Sequence, residues 1–226
     1  MSVRTGLDRL QDPEVRKLLK GRRVGLLAHP ASVDRELRHA VDLVADVAEL
    51  RVLFGPEHGF AGTAQDMVAV AEEGDAEEGA TPGEGDIRVI SLYGETAADL
   101  SPRPAHFEGL DLIVVDLQDV GARFYTYVWS AAFMMRAAAR KGIETLVLDR
   151  PNPLGGVVLE GAPQRTGFRS FVGLYDVAVR HGMTIAEILT MVRSPENLDE
   201  ACLTTVPLPG RRPERFFDDL PPPRVS

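Results

Sequence analysis

Three short segments hold most of the residues in this chain that can move protons or grip polar ligands. Pro56-Glu-His-Gly59 sets a carboxyl group beside an imidazole. Asp116-Leu-Gln-Asp-Val-Gly-Ala-Arg-Phe-Tyr125 carries two acids, an amide, a guanidinium and a phenol, and Asp149-Arg-Pro-Asn152 repeats the mixture. Glu160 and His181 follow later in the chain. Two carboxyl groups on neighbouring loops are what glycosidic cleavage needs. One is protonated to assist the leaving oxygen, and one is ionised to activate water or attack directly. Glu57 is the leading acid, because Pro56 and Gly59 shape a tight loop in which partial burial raises a carboxyl pKa; the bland alternative is a glutamate that shapes the turn by accepting backbone N–H groups. His58 reads as a neighbouring hydrogen bonder. Asp116, at a strand end, suits either a catalytic acid or a loop brace. Asp119 and Asp149 lean towards structure, with Asp149 and Arg150 placed to brace each other. Arg123 and Arg150 can clamp anions through two parallel hydrogen bonds. Of Tyr125, Tyr127 and Trp129, only some can face a ligand, and Trp129 reads as core.

Each segment follows an apolar, β-branched run. Arg51–Phe54 leads into Glu57, Asp111–Asp116 into the Gln118–Tyr125 cluster, and Glu144–Leu148 into Asp149–Asn152. Parallel strands point their carboxyl ends the same way, and ligands of open α/β sheets bind in the crevice beyond those ends. Arg23–Ala28 and Ile87–Tyr93 read as further strands, the latter as an edge or a strand with one covered face. Helices are expected after Pro13, over Glu36–Val47, over Tyr125–Lys141 with Gly142 as the stop, and after Thr184, which with Glu187 completes a capping box. Val157–Glu160 and Phe171–Tyr175 resemble short strands, and Cys202 sits in a strand-like run. Strands alternating with helices predict an α/β fold: a Rossmann-like, doubly wound, mostly parallel sheet over 1–206. Pro207–Ser226 is a Pro-rich tail.

The 226 residues can bury a substantial core, and 25 basic against 34 acidic residues give a net charge of −9, which disfavours nucleic acid as a partner. Seven of the acids fall in Glu72–Asp86, which contains no base and reads as a solvated loop. One cysteine excludes an intrachain disulfide. The first residues lack a signal-peptide core and no apolar run is long enough to span a membrane, so the chain as written is expected to be cytoplasmic. The dinucleotide-binding, P-loop and serine-hydrolase motifs are missing.

Gly-Pro-Glu-His-Gly-Phe (55–60), Asp-Leu-Gln-Asp-Val-Gly-Ala-Arg-Phe-Tyr-Thr-Tyr (116–127), Leu-Asp-Arg-Pro-Asn-Pro-Leu-Gly-Gly (148–156), Glu160-Gly161 and Arg180-His-Gly-Met-Thr184 resemble the NamZ-type exo-β-N-acetylmuramidases over nearly the whole chain. The resemblance implies a Rossmann-like N-terminal domain that removes N-acetylmuramic acid from the non-reducing end of peptidoglycan fragments. It also implies a smaller C-terminal domain beginning near Pro221, so that 207–226 would be its start and the rest would be absent. Glu57 is carried over as the catalytic acid, with Asp116 or Glu160 as its partner carboxylate. His58, Gln118, Asp119, Arg123, Tyr125, Arg150, Asn152, Arg180 and His181 are expected against the sugar, and Arg123, Arg150 or Arg180 against the lactyl carboxylate. No cofactor or metal is expected, and the partner is a peptidoglycan-derived saccharide. Two other readings stand beside this one: a non-catalytic muropeptide-binding domain, and a metal-dependent hydrolase built on Glu57, His58, Asp116 and His181.

Overall fold

A computed structural model describes residues 3–56, 70–72, 87–92, 100–165 and 167–216. The first strand, β1 (Arg23–Ala28), is buried from Val24 onward, as an apolar run must be when helices cover both faces of a parallel sheet. It pairs in parallel with β2 (Glu49–Gly55) on one side and with β5 (Leu112–Asp116) on the other. Outside β2 lie β4 (Ile87–Ser91) and then β3 (Val70–Glu72); outside β5 lie β6 (Glu144–Leu148) and then β7 (Leu203–Val206). Among the described residues the sheet is therefore seven-stranded and wholly parallel, in the order β3-β4-β2-β1-β5-β6-β7. The chain winds outward from β1 through β2, then returns to the other flank of β1 as β5. That reversal creates a switch point between β1 and β5, where loops leaving the two strands diverge and open a crevice.

Two apolar layers hold the sheet. On one face α3 (Tyr127–Ala139) and α4 (Ile185–Arg193) pack Trp129, Met134, Met135, Ile188 and Leu189 against Phe54, Ile113 and Val115. On the other face α1 (Pro13–Leu19) and α2 (Ala40–Ala45) close over Leu26, Leu53, Val114 and Leu148. Each fully buried side chain of this size contributes about 1.5–3 kcal/mol. Gly25 makes the first layer tight: a Cβ there would lie 2.8 Å from the Phe54 ring and 2.9 Å from Ile113. The capping box opens α4 as expected, with Thr184 accepting from Glu187 N–H and the Glu187 carboxylate accepting from Thr184 N–H.

Four expectations are corrected. The helix expected over Glu36–Val47 is shorter, because the buried Asp34 carboxylate accepts the N–H groups of Glu36 and Arg38 and the Arg38 guanidinium, folding 34–38 into a loop. His39 then caps α2 by accepting from Val41 N–H. Val157–Glu160 and Phe171–Tyr175 form no strands; they make only isolated antiparallel bridges, Glu160 with Arg180 and Ser170 with Gly173. Cys202, itself buried, ends a 3-10 turn, and β7 begins one residue later. β4, read as a possible edge, is flanked by β3.

Candidate active site

The carboxyl ends of β1 and β5 finish level, with Ala28 opposite Asp116, and polar side chains take over where the ladder stops. Ser32 Oγ donates to the Asp116 carbonyl at 2.5 Å and accepts from His29 N–H at 3.0 Å. His29 Nε2 accepts from Gln118 N–H at 3.1 Å, and the His29 carbonyl lies 3.0 Å from His39 Nε2. The imidazole must be unprotonated at Nε2 to accept. Burial, then the charges of Arg150 and His39, hold its pKa down to about 3, so it stays neutral. Its ring meets Tyr127 edge-on at 5.0 Å, and Tyr127 lies 4.7 Å from Tyr125. Burial and the neighbouring Tyr127 raise the Tyr125 pKa, so it remains a phenol.

Beneath this surface Asp116 is fully buried and holds Arg150 with both oxygens, at 2.6 and 2.8 Å, while Arg150 also donates to the Val33 carbonyl at 3.0 Å. The expected Asp149–Arg150 brace is thus replaced by Asp116–Arg150. Consecutive residues leaving a strand point to opposite faces, so Asp149 turns instead to the start of α4 and accepts from Ala186 N–H at 3.2 Å. Burial pushes the Asp149 carboxyl up to about 6. Asp149 also lines a cavity of about 480 Å³ with Glu187, Thr190 and Arg211. That cavity lies at the β7 side of α4, away from the switch point.

The loop after β5 is pinned to those before and after it. Asp119 and His181, both buried, approach to 3.2 Å, with Asp119 also accepting from Gly121 N–H and His181 Nδ1 from Met183 N–H. Gly121 has φ +81°, and a Cβ there would lie 2.4 Å from Asn152 Oδ1, so the turn admits only glycine. Asn152 donates to the Met183 carbonyl at 2.9 Å and accepts from Leu154 N–H. The Gln118 side chain donates to the carbonyls of Asp119 and Pro151. Arg123 donates to the carbonyls of Ala162 and Val177, at 2.8 and 2.7 Å. Arg180 pairs with Glu160 at 2.8 Å, donates to the Leu154 carbonyl and lies over the Phe216 ring.

The structure therefore gathers Asp116, Gln118, Asp119, Arg123, Tyr125, Arg150, Asn152, Glu160, Arg180 and His181 on contiguous loops at one edge of the sheet. Glu57 and His58 lie outside the described residues; Gly55 and Pro56, which precede them, leave the sheet at that same edge. Most of acidic 72–86 also lies outside them. Each candidate anion clamp already has protein acceptors. Among the described residues no cluster of three His, Cys, Asp or Glu could hold a metal; Asp116 is committed to Arg150, and His181 Nε2 lies 3.2 Å from Asp119. His29 and Ser32 are not singled out by the sequence. The only signal for His29 was its place directly after a buried strand, and its importance depends on the strand order.

A doubly wound parallel sheet with polar loops converging at its switch point defines a Rossmann-like α/β domain. Residues 24–225 match the family model described as exo-beta-N-acetylmuramidase NamZ, N-terminal, and the chain belongs to that family. It is 40% identical over 219 residues to peptidoglycan beta-N-acetylmuramidase NamZ of Bacillus subtilis (strain 168), covering 96% of this chain and 50% of that protein. Two solved DUF1343 family proteins of Bacteroides fragilis are similar, one at TM-score 0.78 and 32% identity, covering 96% of this chain and 52% of its own length. The other has TM-score 0.72 and 27% identity, covering 95% and 54%. The chain spans about half the length of the relatives it matches.

Proposed function

We propose that this chain forms the sugar-binding half of an exo-β-N-acetylmuramidase, releasing N-acetylmuramic acid from the non-reducing end of peptidoglycan fragments. The observation that carries the reading is the 40% identity to a named β-N-acetylmuramidase over 96% of the chain. Glu57 is the general acid. For its partner carboxylate the environments separate the two candidates. Asp116 is sealed and gives both oxygens to Arg150, whereas the Glu160 side chain is 64% exposed and holds a single guanidinium. That contrast favours Glu160.

The same contrast selects the cation for the lactyl carboxylate. Opening a buried ion pair leaves an uncompensated charge and costs about 3–5 kcal/mol, whereas an exposed pair is worth about 0–1 kcal/mol. Arg180 can therefore exchange Glu160 for a substrate carboxylate at little cost, while Arg150 remains with Asp116. Arg123, tied to two carbonyls, keeps the loops together. Tyr125, Gln118 and His58 contact the sugar, and Asp119, His181 and Asn152 hold the loops that carry it.

Release of free N-acetylmuramic acid from the disaccharide N-acetylmuramic acid–N-acetylglucosamine is the direct test. Glu57→Gln should slow it by at least about 100-fold, the usual contribution of a general acid; cleavage at the parent rate would remove Glu57 from that role. A carboxyl separation of about 5 Å would assign retention of anomeric configuration, and about 6.5–9.5 Å inversion. A second reading is a domain that binds muropeptides without cleaving them. Calorimetry showing saturable binding with no turnover would select it.

A further inference from the structure

We propose that His29 is a positioning residue of the crevice, setting Gln118 through its Nε2 lone pair and Tyr127 through its ring. The proposal rests on the muramidase reading for the identity of the ligand, but not for the geometry. Where the β1–β5 ladder ends at Ala28 and Asp116, His29 is the side chain that carries the connection one residue further, from the loop after β1 to the backbone of the loop after β5. It is only 5% exposed, so the ring cannot swing into solvent to release Gln118. Its own main chain is fixed on both sides: N–H by Ser32 Oγ, which is itself anchored to the Asp116 carbonyl, and C=O by His39. With Gln118 N–H held, the Gln118 side-chain amide can reach two carbonyls on different loops at once, those of Asp119 and Pro151. The Tyr125–Tyr127 ring pair leans on the other face of the connection.

The charged and titratable groups recorded around the ring are Arg150 after β6, His39 at the start of α2 and Tyr127 on α3. The first two disfavour an imidazolium, and an imidazolium could not accept the Gln118 N–H. Nε2 also fixes which replacement can rescue the residue. A glutamine Oε1 reaches as far as Nε2 and can accept the same N–H, whereas a phenylalanine ring keeps the packing on Tyr127 and offers no acceptor.

Amide hydrogen exchange of Gln118 in the 226-residue chain, with titration of the muramic acid–glucosamine disaccharide by calorimetry, separates these roles. His29→Phe should speed Gln118 exchange about 10-fold, as expected for loss of one hydrogen bond, and weaken the disaccharide by a similar factor. His29→Gln should restore both to within about threefold. Unchanged exchange in His29→Phe overturns the proposal. So does faster exchange with unaltered affinity, because the histidine would then hold the loop without positioning the site. A parent chain that binds no disaccharide but shows the exchange pattern contradicts the muramidase reading, while the loop-setting role stands on the exchange data.

Discussion

Two ion pairs at the same edge of the sheet, Asp116–Arg150 and Glu160–Arg180, use the same chemical groups for opposite purposes. The first is sealed beneath the switch point, bidentate, with both side chains at or below 5% exposure. The second lies on the apron of loops from Leu154 to Arg180, among the exposed side chains of Val157, Leu159 and Phe168. Burial decides what each pair can do. In the sealed pair neither charge can be released without stranding the other, so it ties β5 to the loop after β6. In the second pair water competes for Glu160, whose side chain is 64% exposed against 19% for Arg180, so the glutamate can be exchanged for a ligand carboxylate.

The largest expected effect follows from breaking the sealed pair. Arg150→Ala leaves the Asp116 carboxylate buried without its partner and should lower stability by about 3–5 kcal/mol in urea denaturation. Replacing both residues together, Asp116→Leu with Arg150→Met, should cost markedly less, because no buried charge remains; an equal loss would show that the pair's charge is not what matters.

Asp149 sits between the two extremes, buried but without a cation. Burial lifts its folded pKa to about 6, above the ordinary aspartate value of 3.8. The folded protein therefore binds the proton more tightly than the unfolded chain does. The sign follows from linkage: stability is highest below the unfolded value and declines as pH rises towards about 6, levelling off above it. Asp149→Asn keeps an acceptor for Ala186 N–H and removes the charge, so it should flatten that decline and raise stability at pH 8 by on the order of 2–3 kcal/mol. Urea midpoints at pH 5 and pH 8 check this, and a parallel decline in both proteins would refute it. The smallest effect on stability belongs to the exposed pair: Glu160→Gln should change it by less than about 1 kcal/mol.

Much of this architecture is legible in the residues, and the exceptions share a cause. β1, β2, β5 and β6 stand out as buried apolar runs, and Thr184 with Glu187 announces the start of α4. Glu36–Val47 misleads because its apolar spacing continues through a segment that the Asp34 carboxylate has already claimed. Val157–Glu160 and Phe171–Tyr175 carry strand-like residues but have no sheet to join. Asp149 and Arg150 look like partners because they are adjacent, yet a strand end turns them to opposite faces. The polar loops at the site are legible as clusters, but which of their members touch depends on strand order. That is why Arg150 finds Asp116 across 34 positions, and why His29 gains its role only once β1 is seen beside β5.

The claim that the exposed pair reads the substrate is tested most directly by calorimetry on this chain with two ligands that differ in the lactyl group: the N-acetylmuramic acid–N-acetylglucosamine disaccharide and di-N-acetylchitobiose. The muramyl ligand should bind at least about 10-fold more tightly, in line with a charge-assisted hydrogen bond to its carboxylate. Arg180→Gln should erase that preference while leaving the urea midpoint within about 1 kcal/mol of the parent. Equal affinity for both ligands, or a preference that survives Arg180→Gln, would contradict the account.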